Sequence, residues 1–426
     1  DHKNKDCYRD RALSSLNKRF HMRVLNPNPQ PVIPSPALSF VGRKNSGKTT
    51  LLENLIAILT KRGITVASIK HHGHPDFDID IPGRDSYRHR MAGARSVTIL
   101  SDTRYAQVTE LDQPLSCESV ISTLSGFDIV LVEGFRKANV EHIELFRAAN
   151  PRDIQVVDDC ISQWKVSPKA RPVAVVSDIE KVITAAKLLH IPSFTFSDIS
   201  SLATFVQNHF ARPPLSVVIQ AGGESKRMGT PKEALNFLGK PLIQQAVERL
   251  VPLADELIIT TNAPKRLQTL KQEYPDITFV ADLLPERGAL PGIYTALSSA
   301  HHDLVAVVAC DMIDIPAPLI AQEALYMRPI HQKSYDVVFP KTENGIEPFA
   351  AVYRKKPCLA TLEPFMAKNT RQARVREFIA QLNYAMIDCT HPIKCARYGG
   401  SFLNINTPED LTRAEKIISQ DPNCLP

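Results

Sequence analysis

Residues 42–49 read GRKNSGKT: a glycine, four residues, then Gly47-Lys48-Thr49. That spacing belongs to a loop whose backbone N–H groups wrap a chain of phosphates at a helix N-terminus. In such a loop Lys48 neutralises the β- and γ-phosphate oxygens and the Thr49 hydroxyl ligates Mg²⁺. Gly42, Asn45, Ser46, Gly47 and Thr50 complete the residues expected to line a nucleoside triphosphate. A second loop, AGGESKRMGTPK over 221–232, has a different spacing. Gly222 and Gly223 allow the backbone to approach a nucleotide closely. Lys226, Arg227 and Lys232 can neutralise a triphosphate and stabilise the charge on a leaving pyrophosphate.

Each loop needs a strand in front of it. ALSFV (Ala37–Val41) precedes the first and LSVVIQ (Leu215–Gln220) the second, and the helical stretch Thr49–Arg62, stopped by Gly63, follows the first. Further apolar runs (TVASIK, DIVLVEG, PVAVVS, ELIITT, ITFVAD, LVAVVAC) alternate with helical stretches, which predicts parallel strands buried on both faces. The expected fold class is α/β, with two doubly wound parallel-sheet domains. The first is a P-loop NTPase-like domain and the second a Rossmann-like nucleotidyltransferase domain. Five prolines among residues 25–36 forbid a helix, and Arg212-Pro213-Pro214 marks a second seam. The expected organisation is a disordered extension over 1–36, a P-loop domain over 37–212 and a transferase domain over 213–426.

In open α/β sheets nucleotides bind at the carboxyl ends of the strands, so acids at those ends are the metal-ligand candidates. DIVLVEG offers Asp128 and Glu133, which lie roughly 17 Å apart along a strand. Only Glu133 is at the proper end, and Asp128 is expected to cap or be solvated. In the second half four strands end in polar residues: Gln220-Ala221, Thr261-Asn262, Asp282 and Cys310-Asp311. Asp311, directly after LVAVVAC, makes sense as a Mg²⁺ ligand at a buried strand's mouth, while Asn262 and Asp282 suit base and ribose. Residues 69–93 gather His71, His72, His74, Asp76, Asp78, Asp80 and Asp85. They lack a recognisable metal-ligand spacing, so a loop sensing the γ-phosphate and its Mg²⁺ is the preferred reading over a transition-metal site. Ser177-Asp178 is a weaker candidate for accepting from a guanine edge.

The chain has 426 residues, 43% apolar and 23% charged, which suits two or three soluble domains and excludes wholesale disorder or a fibrous repeat. No apolar run reaches the ~18 to 20 residues of a membrane-spanning helix. Lys plus Arg exceed Asp plus Glu by 51 − 45 = 6, a mild excess that fits phosphate ligands without implying nucleic acid. Eight cysteines form no C-x-x-C pair and the first 24 residues hold no apolar core of a signal peptide, so reduced thiols and a cytoplasmic location are expected.

GRKNSGKTTLLENLI, IKHHGHPDFDIDIPGRDSYRHRMAGA and DIVLVEGFR resemble the molybdopterin-guanine dinucleotide biosynthesis adapter family (MobB) over about residues 37–210. The resemblance implies GTP binding with Mg²⁺ and slow hydrolysis in support of a partner enzyme. AGGESKRMGTPK, ADLLPERGALPGI, ACDMIDIP and FLNINTPEDL resemble the molybdenum cofactor guanylyltransferase family (MobA) over about residues 215–420. This implies transfer of GMP from GTP to molybdenum-bound molybdopterin, with pyrophosphate released. GTP contacts then carry over to Gln220, Ala221, Gly222, Lys232, Asn262, Asp282 and Asp311, with Gly223 beside them and Asp311 holding Mg²⁺. Lys232, Arg227 and Asp311 are the expected catalytic residues. Three departures stand out: Gln220 where leucine is common, a stretch between Gly229 and Lys232 one residue shorter than in some members, which could shift Lys232, and Glu347 before Pro348 where histidine is frequent.

The expected protein is therefore a fused adapter and guanylyltransferase. Its expected partners are GTP, molybdopterin, molybdenum-insertion enzymes, molybdoenzyme chaperones and a second copy through the P-loop domain, with no nucleic acid and no membrane. The rivals are a cytidylyltransferase or other nucleotidyltransferase, and a non-catalytic P-loop scaffold that carries the pterin.

Overall fold

A computed structural model describes residues 35–73, 78–136, 138–221, 235–286, 288–313, 315–328, 334–368, 374–390, 405 and 407–420. Two compact units divide the chain, one of residues 37–124 with 129–204, the other of 125–128 with 205 onward and the segment before Ala37. Among the described residues no helix is long and apolar enough to cross a membrane. The charged lead-in over 1–34 lies outside the described residues. Ser35 and Pro36, the end of the expected 1–36 extension, are buried instead, and the Ser35 Oγ accepts from the Phe127 N–H at 3.0 Å.

The first unit contains β1 (Ala37–Val41), β2 (Val66–Lys70), β3 (Ser96–Leu100), β4 (Tyr105–Thr109), β5 (Ile129–Glu133), β6 (His142–Phe146), β7 (Ala174–Ser177) and β8 (Ser193–Phe194). Among the described residues six of these form one parallel sheet in the order β2-β5-β1-β6-β7-β8. Leu38, Phe40, Val130 and Leu131 are fully buried, as expected for central strands covered on both faces. The helix Lys48–Lys61 turns Leu51, Leu52, Leu55 and Leu59 inward, one stripe at helical spacing. Burying each contributes about 2 kcal/mol, so the helix start is held firmly under the phosphate loop. β3 and β4 form a separate antiparallel hairpin.

The second unit contains β9 (Leu215–Gln220), β10 (Asn236–Phe237), β11 (Lys240–Pro241), β12 (Glu256–Thr260), β13 (Thr278–Val280), β14 (Leu304–Ala309), β15 (Val337–Thr342), β16 (Gly345–Ile346), β17 (Ala350–Arg354) and β18 (Tyr384–Asp388). The main sheet runs β13-β12-β9-β14-β17-β15-β16, with β18 beside β15. Alternate residues of β9 feed two cores, Val217 and Ile219 one face and Val218 the other. The second sheet is mostly parallel, as expected, but mixed. β17 is antiparallel to both β14 and β15 because a hairpin through β16 joins β15 to β17, and Gly345 at φ 123° makes its turn.

Candidate functional site

In the first unit the phosphate loop leaves β1 and enters the helix Lys48–Lys61 through two left-handed residues, Asn45 at φ 71° and Gly47 at φ 85°. The helix has no side-chain cap and no acid in its first turn, so its first N–H groups are open to an anion. Gly42 lies tight against β6: a Cβ there would stand 3.2 Å from Leu145 and from Ser46. Lys48 Nζ donates to the carbonyls of Gly42 at 3.0 Å and Arg43 at 2.7 Å, folding the ammonium over its own loop. Burial lowers its pKa, while the charges of Glu133 and Asp153 oppose that shift.

Thr49 Oγ1 donates to Glu133 Oε1 at 2.8 Å, and Lys70 Nζ lies 3.5 Å from Glu133 Oε2. Hydroxyl and carboxylate thus face one another at the helix start, an oxygen pair of the kind that holds Mg²⁺. Thr50 and Asn45 are exposed at the loop's rim. Asp128, at the other end of β5, is buried rather than solvated.

Beneath the loop lies a set of residues that sequence reasoning missed. The Asp153 carboxylate is fully buried and accepts from the Arg147 N–H at 3.0 Å and from Asn150 Nδ2 at 2.9 Å. Ser46 Oγ stands 3.1 Å from its other oxygen, and Asn150 Nδ2 also reaches the Lys44 carbonyl at 3.1 Å. Arg136 Nη1 donates to the buried Glu144 at 3.0 Å, and Arg43 lies 3.7 Å from the same oxygen. The only signals were an asparagine and a proline opening the short helix Pro151–Ile154 and the alternation of HIELF.

In the histidine and aspartate segment, the described acids serve local structure. Arg90 pairs with Asp78, and Ser86 donates to Asp80 at 2.8 Å. His71 packs at a tilt against Phe135, with ring centroids 4.3 Å apart. His74 and Asp76 lie outside the described residues, and no cluster of three potential metal ligands occurs among the described ones. Asp178 accepts from the Ala148 N–H at 2.6 Å, tying the loop after β7 to the loop after β6, and Ser177 Oγ accepts from the Ile179 N–H at 3.0 Å as a local turn anchor.

In the second unit, register brings the strand mouths level: Gln220 pairs with Thr260 on one side and Ala309 on the other. Asn262 and Asp282 bond reciprocally, Nδ2 to Oδ2 at 2.8 Å and Asp282 N–H to Asn262 Oδ1 at 3.1 Å. Ala221 is buried and donates its N–H to the Thr260 carbonyl. Gln220 Nε2 is buried with no hydrogen-bond partner among the described residues. Its carboxamide lies against Gly292, where a Cβ would come within 2.9 Å of Oε1. Asp311 is half-buried beyond β14, and its carbonyl accepts from the Ile405 N–H at 3.0 Å, which ties the C-terminal segment to this mouth. Gly222, Gly223, Lys226, Arg227 and Lys232 lie outside the described residues.

Two family models match the chain: molybdopterin guanine dinucleotide synthesis protein B over residues 37–163, and the MobA-like NTP transferase domain over 217–385. A probable molybdenum cofactor guanylyltransferase of Natranaerobius thermophilus is 31% identical over 208 residues, 48% of this chain and 97% of the relative. The molybdopterin-guanine dinucleotide biosynthesis adapter protein of Escherichia coli is 36% identical over 176 residues, 40% of this chain and 91% of the relative. The chain belongs to both families. A solved structure of molybdopterin-guanine dinucleotide biosynthesis protein A from Archaeoglobus fulgidus is 26% identical, with a TM-score of 0.39, over 48% of this chain and 99% of that one. The adapter family thus accounts for the unit with Lys48, Thr49 and Glu133. The guanylyltransferase family accounts for the unit with Gln220, Asn262, Asp282 and Asp311.

Proposed function

We propose that the chain transfers GMP from GTP to molybdenum-bound molybdopterin, and that its first unit is a GTP-binding adapter for that reaction. The assignment takes 37–212 as the adapter and 213–426 as the transferase. A terminal phosphate oxygen of the pterin attacks the α-phosphorus of GTP, the bond to the β-phosphate's bridging oxygen breaks, and pyrophosphate leaves. No protein nucleophile is needed, so positioning and charge stabilisation supply the rate. Gln220, Asn262 and Asp282 hold the nucleotide, joined by Ala221, Gly222 and Gly223. Arg227 and Lys232 take up charge at the phosphates. Asp311 would hold Mg²⁺, which when bound neutralises phosphate charge.

The observation that carries this reading is the level set of strand mouths, with an orphaned Gln220 amide and the Asn262–Asp282 pair on one side of Asp311, in a chain of the guanylyltransferase family. Incubating the full chain with molybdopterin, Mg²⁺ and each nucleoside triphosphate in turn, then weighing the nucleotide product, tests it. The guanylylated pterin is expected from GTP, and a cytidylylated product would replace the reading by its rival.

In the first unit Lys48 leaves its own loop carbonyls for the β- and γ-phosphates when GTP enters, and Thr49 with Glu133 would hold the second Mg²⁺. That unit also exposes Ile79, Ile81, Met91, Ile99, Leu100 and Tyr105, and an isolated hairpin such as β3–β4 is marginally stable in water. These features support a homodimer through the adapter unit.

A further inference from the structure

The strand order sorts the second unit's crevice into two sides. β9, β12 and β13 bring Gln220, Asn262 and Asp282 to one side of β14, and Asp311 follows β14 itself. β17 and β15 lie on the other side. The antiparallel pairing of Val308 with Ala350 is continued by the Ala309 N–H donating to the Phe349 carbonyl at 3.0 Å. Glu347 and Pro348, just before Phe349, therefore stand at the same sheet edge as Asp311, on the side away from the nucleotide residues.

Glu347 is fixed there by its N–H, which donates to the Pro340 carbonyl at 3.0 Å. Its carboxylate is half-buried and accepts from Thr342 Oγ1 at 3.1 Å, the one hydrogen bond that carboxylate makes among the described residues. Burial pushes its pKa up, and the Thr342 hydroxyl only partly offsets that. No Lys or Arg is paired with it among the described residues. A carboxylate drawn partly out of water with most of its lone pairs unused is costly unless something donates to it.

We propose that Glu347 is a specificity-determining residue for the acceptor, its carboxylate taking the paired N–H donors of a 2-amino-4-oxopyrimidine edge, the edge a pterin presents. The inference rests on the guanylyl-transfer reading. An ionised carboxylate offers acceptors only, in a fork that matches a ring N–H beside an exocyclic amine. Guanine carries the same edge. The sheet order favours the pterin, because the nucleotide residues lie across β14 from Glu347 and the attacking phosphate must approach from beyond Asp311.

The test uses the full chain and Glu347→Gln, which keeps the size and turns one acceptor into a donor. Steady-state transfer is measured with molybdopterin varied at saturating GTP, then with GTP and with inosine triphosphate, which lacks the 2-amino group, at saturating molybdopterin. The KM for molybdopterin is expected to rise about tenfold or more, the loss of one charge-assisted hydrogen bond, while the GTP KM and the preference for GTP over ITP stay unchanged. Equilibrium dialysis of molybdopterin against the full chain without nucleotide gives the same comparison as a binding constant, and Glu347→Gln is expected to weaken it similarly. Unchanged pterin affinity in both assays overturns the proposal. So does a change confined to GTP, which would assign Glu347 to the guanine. If the wild-type chain transfers no GMP yet binds pterin through Glu347, the transfer reading fails and this one stands.

Discussion

Two buried carboxylates in this chain have opposite relations to their surroundings, and each predicts a different experiment. Asp153 is fully buried, yet its oxygens meet the Arg147 N–H, Asn150 Nδ2 and Ser46 Oγ, so it braces the phosphate loop from below. Asp153→Ala would leave those donors unsatisfied at about 1–3 kcal/mol and loosen Ser46 and Lys44. Nucleotide titration of the full chain should then show GTP affinity at the adapter unit falling roughly tenfold or more, with GMP transfer unaffected. Loss of transfer to the same extent would contradict the brace's confinement to the first site. Glu323, in the helix Ala317–Tyr326, is also fully buried, but neither oxygen has a partner among the described residues. Desolvation raises its pKa well above 4.5. The folded state therefore binds the proton more tightly than the unfolded chain, and the stability present below about pH 4.5 is lost as pH rises toward the folded pKa. Glu323→Met should raise the unfolding free energy at pH 8 by an amount on the order of 1–3 kcal/mol, and much less at pH 5, as read from denaturant titrations. An equal gain at both pH values would show that ionisation is not the cause.

At the scale of elements, the helix Ala289–Ser299 reaches the crevice only because Gly292 carries no side chain. A Cβ there would stand 2.9 Å from Gln220 Oε1 and 3.1 Å from Nε2, so Gly292→Ala must push the carboxamide or the helix aside. Fold and melting temperature should change little, because the carboxamide can rotate, whereas the KM for GTP in the transfer reaction should rise severalfold. An unchanged KM would remove Gln220 from the nucleotide site. Elements that are apolar throughout were legible in the sequence: ALSFV, DIVLVEG, LSVVIQ and LVAVVAC all became central strands because both of their faces are covered. HIELF hid β6, since His142 and Glu144 break the apolar run, although Glu144 is buried and paired with Arg136. Pro340 likewise hid β15 within VVFPKT, and without β15 and β17 the mixed character of the second sheet could not be foreseen. The same logic limited the site: the spacing of GRKNSGKT marks a strand-loop-helix turn, and Thr49 Oγ1 donates to Glu133 at its mouth. Asp153 and Glu347, by contrast, acquire meaning only when distant loops meet.

On the proposed function, one chain carries two nucleotide sites with separate chemistry. In the proposed function the Lys48 site holds β- and γ-phosphates, and the Asp311 site serves a reaction at the α-phosphorus. Nothing in the first site requires the second to turn over, so each can be silenced alone. The decisive measurement follows phosphate and pyrophosphate release separately, with GTP, Mg²⁺ and molybdopterin, for the wild type, Lys48→Ala and Asp311→Ala. Lys48→Ala should abolish phosphate release and leave pyrophosphate release to added molybdopterin largely intact. Asp311→Ala should cut pyrophosphate release by roughly 10²-fold or more while phosphate release persists. If Lys48→Ala stops pyrophosphate release as completely as Asp311→Ala does, the adapter and the transferase are not separable and the account of two independent sites is wrong.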